Sequence, residues 1–416
     1  MKDTSKLRCG LIGKTLGHSY SPQIHAHLDS YEYKLIEMPE EEVDVFLKSD
    51  NFDAINVTIP YKKTVMPFLD VISDEALRIG SVNTVTHLPD GRLKGDNTDY
   101  YGFSYMLDKG NIDVKGKKVL VLGSGGASMT ARTVAADRNA REVVIISRSG
   151  EDNYTNLDKH SDCDILINTT PVGMYPNNGV SAVSLDVFPK LSGVVDMIYN
   201  PAKTALILDA EERGIPCISG LCMLVAQAKA ASEFFTGKTI ADSVIDEITA
   251  EIESESKNIM LVGMPGVGKT TNGKLIAQKL GREFIDIDAE IVKKDGRTIP
   301  DIFSENGESY FRELEHSVLE EYSKRSGLVI SCGGGTVIRA DNRRLMKQNS
   351  VVVFMKRSLS QLSKDGRPVS QSTDLTELYK TRLPMYEAVA DVIYEMNGTP
   401  DANSSGIISA LSGGTK

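Results

Sequence analysis

"IMLVGMPGVGKTTNGK", residues 259–274, decides the fold of the C-terminal part of this chain. Four apolar residues run into a glycine loop that closes on Lys269, Thr270 and Thr271. A short apolar run ended by glycine reads as a buried strand. Gly263-x-x-x-x-Gly268-Lys269-Thr270 completes the phosphate-loop pattern, and it stands between a predicted strand and a predicted helix. Gly263, Gly266 and Gly268 let backbone N–H groups turn inward around phosphate oxygens, and the helix start adds its dipole. Lys269 has the reach for the β- and γ-phosphates of ATP, and the Thr270 hydroxyl can ligate Mg²⁺. The loop alone leaves the phosphate acceptor open.

Length and composition bound the rest. With 416 residues, and roughly 100–200 residues per domain, the chain holds two to four units. The net charge is −10, which disfavours nucleic-acid and anionic-membrane binding, since both need a positive patch. No apolar run reaches the ~18 residues of a membrane span. The five cysteines form no C-x-x-C pair, and the N-terminus enters a predicted strand at once, without a signal peptide; both fit reduced thiols in a cytoplasmic protein. None of the six histidines sits in an HExxH motif.

Apolar runs that end in Gly, Asn or Ser alternate with helical patterns along the whole chain. "LRCGLIG", "AINVTIP", "KKVLVLGSGG", "REVVIIS", "DILINTT", "GVVDMIYN", "GLVISCGGG" and "SVVVFMK" all read as buried strands. This predicts parallel α/β sheets. The clearest boundary is "IADSVIDEITAEIESESK", residues 240–257, expected as a helix followed by a short linker. The tail after Pro400 is Gly/Ser-rich and expected to be mobile or a weak final helix.

Downstream of the phosphate loop, "FIDIDAEI" places Asp286 and Asp288 two apart at a strand end. "GESYFRELE" offers Arg312 on a helix, and "VISCGGGTV" puts three glycines after another strand. These motifs, with "KDGRPVSQ" and "TRLPMYEAVAD", fall in the order of shikimate kinase, which residues 258–400 resemble. The resemblance implies a nucleoside-monophosphate-kinase-like α/β fold. It implies that Gly263, Gly266, Gly268, Lys269, Thr270 and Thr271 bind the nucleotide, that Thr270 ligates Mg²⁺, and that Asp286 assists Mg²⁺ through water. Asp288 would hold the acceptor hydroxyl and act as base. Arg312 and Arg382 would grip the substrate carboxylate, Gly334 and Gly335 bracket its ring, and Arg367 act as the lid arginine. The lid around Ser363–Thr373 is short, and "SQLSKD" replaces a further arginine.

The N-terminal half carries a second loop, Gly123-Ser124-Gly125-Gly126-Ala127-Ser128, after the strand "KKVLVL". This is a dinucleotide-binding pattern with an imperfect third glycine. NAD-binding folds place an acidic residue roughly 20 residues on, at the next strand's end. Here stand Ser147, Arg148 and Ser149, and an arginine there favours NADP(H). Polar clusters at four predicted strand ends, "GHSYSP", "NVTIPYKK", "GSVNTV" and "GDNTDYYG", join "NTTPVGM", "DMIYNP" and "GLCMLVAQA". Together they resemble shikimate dehydrogenase over residues 7–237.

That resemblance implies a substrate domain over 1–101, completed by helices in 218–240, and a Rossmann-like NADP domain over 102–217. A helix and linker over 241–257 and a kinase domain over 258–416 would follow. Ser19 and Ser21 would bind the substrate carboxylate. Asn56, Thr58, Asn83 and Gln227 would hold ring hydroxyls with Tyr199 close by, and Lys62 and Asp99 would be the catalytic pair. Reducing a ring ketone leaves an oxyanion that needs a proton, and an ammonium beside a carboxylate can deliver it. The segment after Arg148 is shorter than the family's usual helix and lacks its second cofactor arginine. The two chemistries interlock: a dehydrogenase that makes the 3-hydroxyl of shikimate, and a kinase that phosphorylates it. The expected partners are therefore small molecules, 3-dehydroshikimate and shikimate. Two alternatives stay open at this point: one half, the kinase half first, as a ligand-sensing module, or a quinate/shikimate dehydrogenase with NAD preference.

Overall fold

The computed structural model describes residues 4–17, 19–362 and 375–412. The chain divides into two compact units, one of Met1–Met174, Val180–Tyr199 and Thr204–Ile252, the other of Tyr175–Gly179, Asn200–Lys203 and Glu253–Lys416. The expected lid arginine, Arg367, lies outside the described residues, as does His18.

The first unit holds two sheets. One is built from β1 (Arg8–Gly13), β2 (Glu32–Glu37), β3 (Ala54–Val57), β4 (Val71–Ile72), β5 (Thr84–His87) and β6 (Leu93–Asp96), in the order β2-β1-β3-β5-β6-β4. All of β3 and nearly all of β1 is buried, as their unbroken apolar runs require. The expectation of purely parallel sheets fails here, because β5 runs antiparallel to both β3 and β6. The cause is a hairpin: Gly91 has φ +85°, and the Asp90 side chain accepts from Arg92 N at 3.1 Å, closing a tight turn. The edge strand β2, "EYKLIE", is largely exposed and carries charges, so it has no apolar signature.

The other sheet contains β7 (Lys118–Leu122), β8 (Glu142–Ile146), β9 (Ile165–Asn168), β10 (Gly193–Asp196) and β11 (Cys217–Ser219). Its order is β11-β10-β9-β7-β8, all parallel. The order reverses between β7 and β9, and ligands of open α/β sheets bind outside the strand ends at such a point. The glycine loop leaves β7 there and starts the helix Gly126–Asp137. Between β8 and β9 only a 3-10 turn, Leu157–His160, occupies the place of a helix.

The second unit is one parallel sheet of β12 (Asn258–Val262), β13 (Phe284–Asp286), β14 (Val329–Ser331), β15 (Ser350–Lys356) and β16 (Val392–Glu395), in the order β13-β14-β12-β15-β16. One sequence expectation needs correction here. The helix Ser243–Ser256 runs to within one residue of β12, so there is no linker after it. Ile245, Ile248 and Ile252 fall on one face and are buried, while the acidic and serine residues that suggested a linker lie on the same helix. Of the two alternatives for the C-terminal tail the structure has the final helix, Pro400–Ser412, with Ile407 fully buried. Its start is pinned by the Asn403 side chain, which bonds Gly398 N at 3.0 Å and Gly398 O at 2.8 Å.

Candidate active sites

In the first unit, a cavity of about 460 Å³ is lined by Ser19, Ser21, Asn56, Thr58, Lys62, Asn83, Asp99, Tyr199 and Gln227. Residues that lie far apart in sequence therefore meet in one place. Lys62 follows β3, Asn83 precedes β5, and Asp99 opens the helix Asp99–Lys109. Lys62 Nζ donates to Asp99 Oδ2 at 2.6 Å, with the two side chains 24% and 15% exposed. The pair is thus shielded yet open to a ligand.

Neighbouring amides fix Asp99. Asn83 Nδ2 donates to Asp99 Oδ1 at 3.0 Å. Asn83 Oδ1 in turn accepts from Thr98 N at 2.8 Å and Thr84 Oγ1 at 3.0 Å. Asn56 Nδ2 donates to Asn83 O at 3.2 Å and Thr84 Oγ1 at 3.1 Å. Both Asn56 donors are therefore spent inside the protein, and only its oxygen has room for a ring hydroxyl. Ser19 Oγ donates to Ser21 Oγ at 3.0 Å. Gln227 Nε2 donates to Leu224 O at 2.8 Å.

The sequence reading missed the apolar wall of the cavity, Leu16, Met197, Met223 and Leu224. Met197 and Met223 lie inside two quoted motifs, "DMIYNP" and "GLCMLVAQA", so the signal was present. Gly220 is required where it stands: a Cβ would come within 2.1 Å of Met197 O.

His25 lies behind this site. Its ring stacks on Tyr33 at 3.9 Å between centroids, and Nδ1 is 2.6 Å from the Tyr31 hydroxyl. Burial pushes its pKa down to about 3, against a smaller upward pull from Asn56. The folded state therefore resists protonation while the unfolded chain accepts a proton near pH 6.5. Stability contributed by neutral His25 is present above about pH 6.5 and is lost as pH falls from there toward 3. In an NMR titration His25 is expected to stay neutral down to pH 5. A midpoint near 6.5 would contradict this account of its burial.

The glycine loop after β7 reaches the same cavity through Ala127. Gly123 has φ +106°, and a Cβ there would press on Thr169 Oγ1 at 2.9 Å. Ser124, Gly125, Gly126 and Ala127 are exposed, and a Cβ at Gly125 or Gly126 would meet open space. A diphosphate fits such an opening at a helix N-terminus. At the end of β8, Arg148 and Ser149 are exposed and Ser147 is half-buried, and Ser147 N donates to Asp152 O at 3.2 Å.

In the second unit, a cavity of about 600 Å³ is lined by the phosphate loop, Asp288, Arg312, Gly334, Gly335 and Arg382. Gly263, Gly266 and Gly268 have φ of +145°, +87° and +102°, the left-handed side that glycine alone tolerates well. A Cβ at Gly263 would also meet Met355 O at 2.5 Å. Lys269 Nζ donates to Gly263 O at 2.9 Å and Met264 O at 3.1 Å. Thr270 Oγ1 donates to Asp286 Oδ2 at 2.7 Å, a hydroxyl and a carboxylate side by side, which is the donor set a hard cation takes. Thr271 lines the cavity as well.

Arg312 stands on the helix Ile299–Ser323, which breaks at Gly307 (φ 78°). Its Nη1 donates to Glu315 Oε2 at 2.8 Å and its Nη2 to Glu308 Oε1 at 2.9 Å. Burial alone would weaken its charge, but the two glutamates outweigh burial and hold the guanidinium protonated. Glu315 is 1% exposed and also accepts from Thr336 Oγ1 at 2.6 Å. It was not among the expected site residues, although it closes the motif "GESYFRELE". Arg382 Nη1 donates to Gly334 O at 3.1 Å, and the Tyr386 hydroxyl donates to the same carbonyl. Among the described residues no group of three or more His, Cys, Asp or Glu side chains forms a metal site. Nor is any helix among them long and apolar enough to cross a membrane.

Comparison with known proteins separates the two units. Residues 11–85 match the model of the shikimate dehydrogenase substrate-binding domain, and residues 265–412 match that of shikimate kinase. A shikimate dehydrogenase (NADP(+)) of Clostridium perfringens is 38% identical over 266 residues, spanning 59% of this chain and 97% of that protein. A chorismate mutase/shikimate 5-dehydrogenase fusion protein from Clostridium acetobutylicum is 38% identical, with a TM-score of 0.57 over 60% of this chain and 97% of that one. The shikimate 5-dehydrogenase of Thermus thermophilus, solved with NADP(H) and shikimate, is 31% identical, with a TM-score of 0.54 over 59% and 99%.

Proposed function

The chain belongs to the shikimate dehydrogenase family and carries a shikimate kinase domain after it, and from that premise we propose that it catalyses two consecutive reactions. The first unit reduces 3-dehydroshikimate to shikimate with NADPH. The second phosphorylates the new 3-hydroxyl with ATP. The observation that carries this reading is that Lys62 and Asp99 meet the substrate-binding side chains in one cavity, and Lys269 and Asp288 meet Arg312 and Arg382 in the other. In this reading residues 1–101 with 218–240 hold the substrate, 102–217 hold NADP(H), and 258–416 form the kinase. A cytoplasmic location accords with it.

In the first step Ser19 and Ser21 hold the carboxylate, while Asn83, Thr58 and Gln227 orient the ring hydroxyls. NADPH, when bound along Gly123–Ala127, supplies the hydride. Lys62 Nζ gives its proton to the carbonyl oxygen, which becomes the hydroxyl, and Asp99 keeps Nζ aimed. Tyr199 closes the far wall. Arg148, flanked by Ser147 and Ser149, supplies the cation for a 2′-phosphate and so favours NADPH over NADH.

In the second step Lys269 exchanges two backbone carbonyls for phosphate oxygens of ATP. Thr270, with Asp286 beside it, would hold Mg²⁺, which would supply neutralisation of phosphate charge. Asp288 accepts the proton of the attacking hydroxyl, and Arg312 and Arg382 take the carboxylate in planar forks. Gly335 must lack a side chain for this to work, because a Cβ would stand 2.5 Å from both Nη atoms of Arg312. Gly335→Ala is therefore expected to lower kinase kcat/KM for shikimate about 10- to 100-fold, the cost of a displaced charged hydrogen-bond pair. Steady-state kinetics would show KM for ATP and the dehydrogenase reaction unchanged. An unaltered shikimate dependence would remove Arg312 from the site.

Two assays on the purified protein test the reading as a whole. Shikimate-dependent reduction of NADP⁺ is expected without ATP, and shikimate-dependent ADP release is expected without NADP⁺. Absence of either signal contradicts the assignment of that unit.

A further inference from the structure

Ser147 follows β8 directly, where NAD-binding folds place an acidic residue for the ribose 2′-hydroxyl. The sequence has no carboxylate there, but the fold brings one back. Ser147 N donates to Asp152 O at 3.2 Å, so residues 148–151 form a short loop whose two ends meet at the strand end. The approach is close: a Cβ at Gly150 would stand 2.6 Å from Ser147 Oγ and 3.1 Å from Asp152 O. Side-chain amides brace the loop. Asn153 Nδ2 donates to Gly150 O at 3.1 Å, and Asn156 Nδ2 to Glu151 O at 2.9 Å. The Asp152 carboxylate itself is tied down, with Oδ1 2.9 Å from His160 Nε2. His160 is buried, and its Nδ1 has no hydrogen-bond partner among the described residues. Nε2 carries the hydrogen of this bond, because an ionised carboxylate can only accept. The His160 carbonyl accepts from Cys163 N at 2.9 Å just before β9, so the imidazole is anchored beside the sheet.

We propose that His160 is a positioning residue that sets the cofactor preference of the dehydrogenase: it holds the Asp152 carboxylate away from the ribose 2′ position and leaves that position to Arg148. This rests on reading the first unit as a dehydrogenase whose dinucleotide lies along Gly123–Ala127 and the end of β8. Arg148 and Asp152 then put opposite charges on one short loop. Arg148 is exposed and attracts a 2′-phosphate. A released Asp152 carboxylate would repel that phosphate, and it would accept from the hydroxyls of an unphosphorylated ribose. Bound to His160, it does neither. Glu151, the other acid of the loop, is exposed, and solvent screens its charge. The loop thus holds the group for either cofactor, and His160 decides which of them is presented.

The test uses the full-length protein and initial rates of shikimate oxidation with NADP⁺ or NAD⁺. His160→Phe keeps an aromatic ring and removes the donor. It is expected to lower the ratio of kcat/KM for NADP⁺ to that for NAD⁺ by about tenfold, through KM, the scale of one charged hydrogen bond gained or lost. KM for shikimate should stay at the parent value. His160→Gln, which keeps a donor, should restore most of the ratio, and so should Asp152→Asn added to His160→Phe. Asp152→Asn alone should leave the ratio near the parent's. His160→Asn, with a side chain too short to reach the carboxylate, replaces His160→Phe if that variant does not fold. Equal losses with both cofactors overturn the proposal. So does a His160→Phe ratio that Asp152→Asn fails to restore, or a gain in NADP⁺ preference from Asp152→Asn alone. A parent protein inactive with both cofactors would instead overturn the dehydrogenase assignment.

Discussion

Lys62→Ala is expected to lower kcat of the dehydrogenase reaction by about 10²–10⁴-fold, the usual contribution of a positioned general acid. The argument rests on geometry. Lys62 Nζ is held at 2.6 Å from Asp99 Oδ2 at the edge of the cavity, and among the described residues lining that cavity it is the one cationic side chain. Asn83 would still hold Asp99 from the other side, so the site should keep its shape and bind shikimate. KM for shikimate should therefore move far less than kcat, and ATP-dependent phosphorylation should not change. Stopped-flow measurement of hydride transfer would separate this from slow product release. A Lys62→Ala enzyme with near-normal turnover would remove Lys62 from the chemistry.

The second large effect belongs to Lys269. Lys269→Ala is expected to lower the kinase kcat by about 10²–10³-fold, the scale of losing one group aimed at developing charge. In the structure this side chain is nearly buried, and its ammonium bridges the carbonyls of Gly263 and Met264. The same reach carries it onto phosphate oxygens once ATP lies along the loop. The NADP-dependent reaction should proceed at the parent rate, which makes each variant the control for the other. A kinase that survives this change would have to handle phosphate without the loop lysine, and its assignment would fall.

Much of this architecture was legible because two kinds of signal are local. The strands β3, β7 and β12 are buried on both faces, so their apolar runs announce themselves. The glycine loops combine strand, turn and helix start within a dozen or so residues. What stayed hidden depends on distant partners. The strand β2 reads as a polar segment, yet it carries Tyr33 onto Asn56 across 23 positions of sequence. The helix Pro400–Ser412 has a composition that suggests disorder, and is fixed by the burial of Ile407 and the bonds of Asn403. The helix Ser243–Ser256 looks like a linker in its last turns because its exposed face is acidic. Glu315 was overlooked for the opposite reason: a lone glutamate in a helix is usually on the surface, and only the fold shows it 1% exposed beneath Arg312. Asn56 is the subtler lesson. Its place in the cavity followed from its motif, but the spending of both its donors on Asn83 and Thr84 did not.

The most direct measurement is a single reaction with purified protein, 3-dehydroshikimate, NADPH, ATP and Mg²⁺. NADPH loss is followed optically and shikimate 3-phosphate by mass spectrometry. The account predicts that both proceed, that omitting ATP leaves shikimate as the product, and that omitting NADPH stops phosphate transfer as well. Consumption of NADPH with shikimate accumulating unphosphorylated in the presence of ATP would contradict the second activity and reduce the protein to a dehydrogenase.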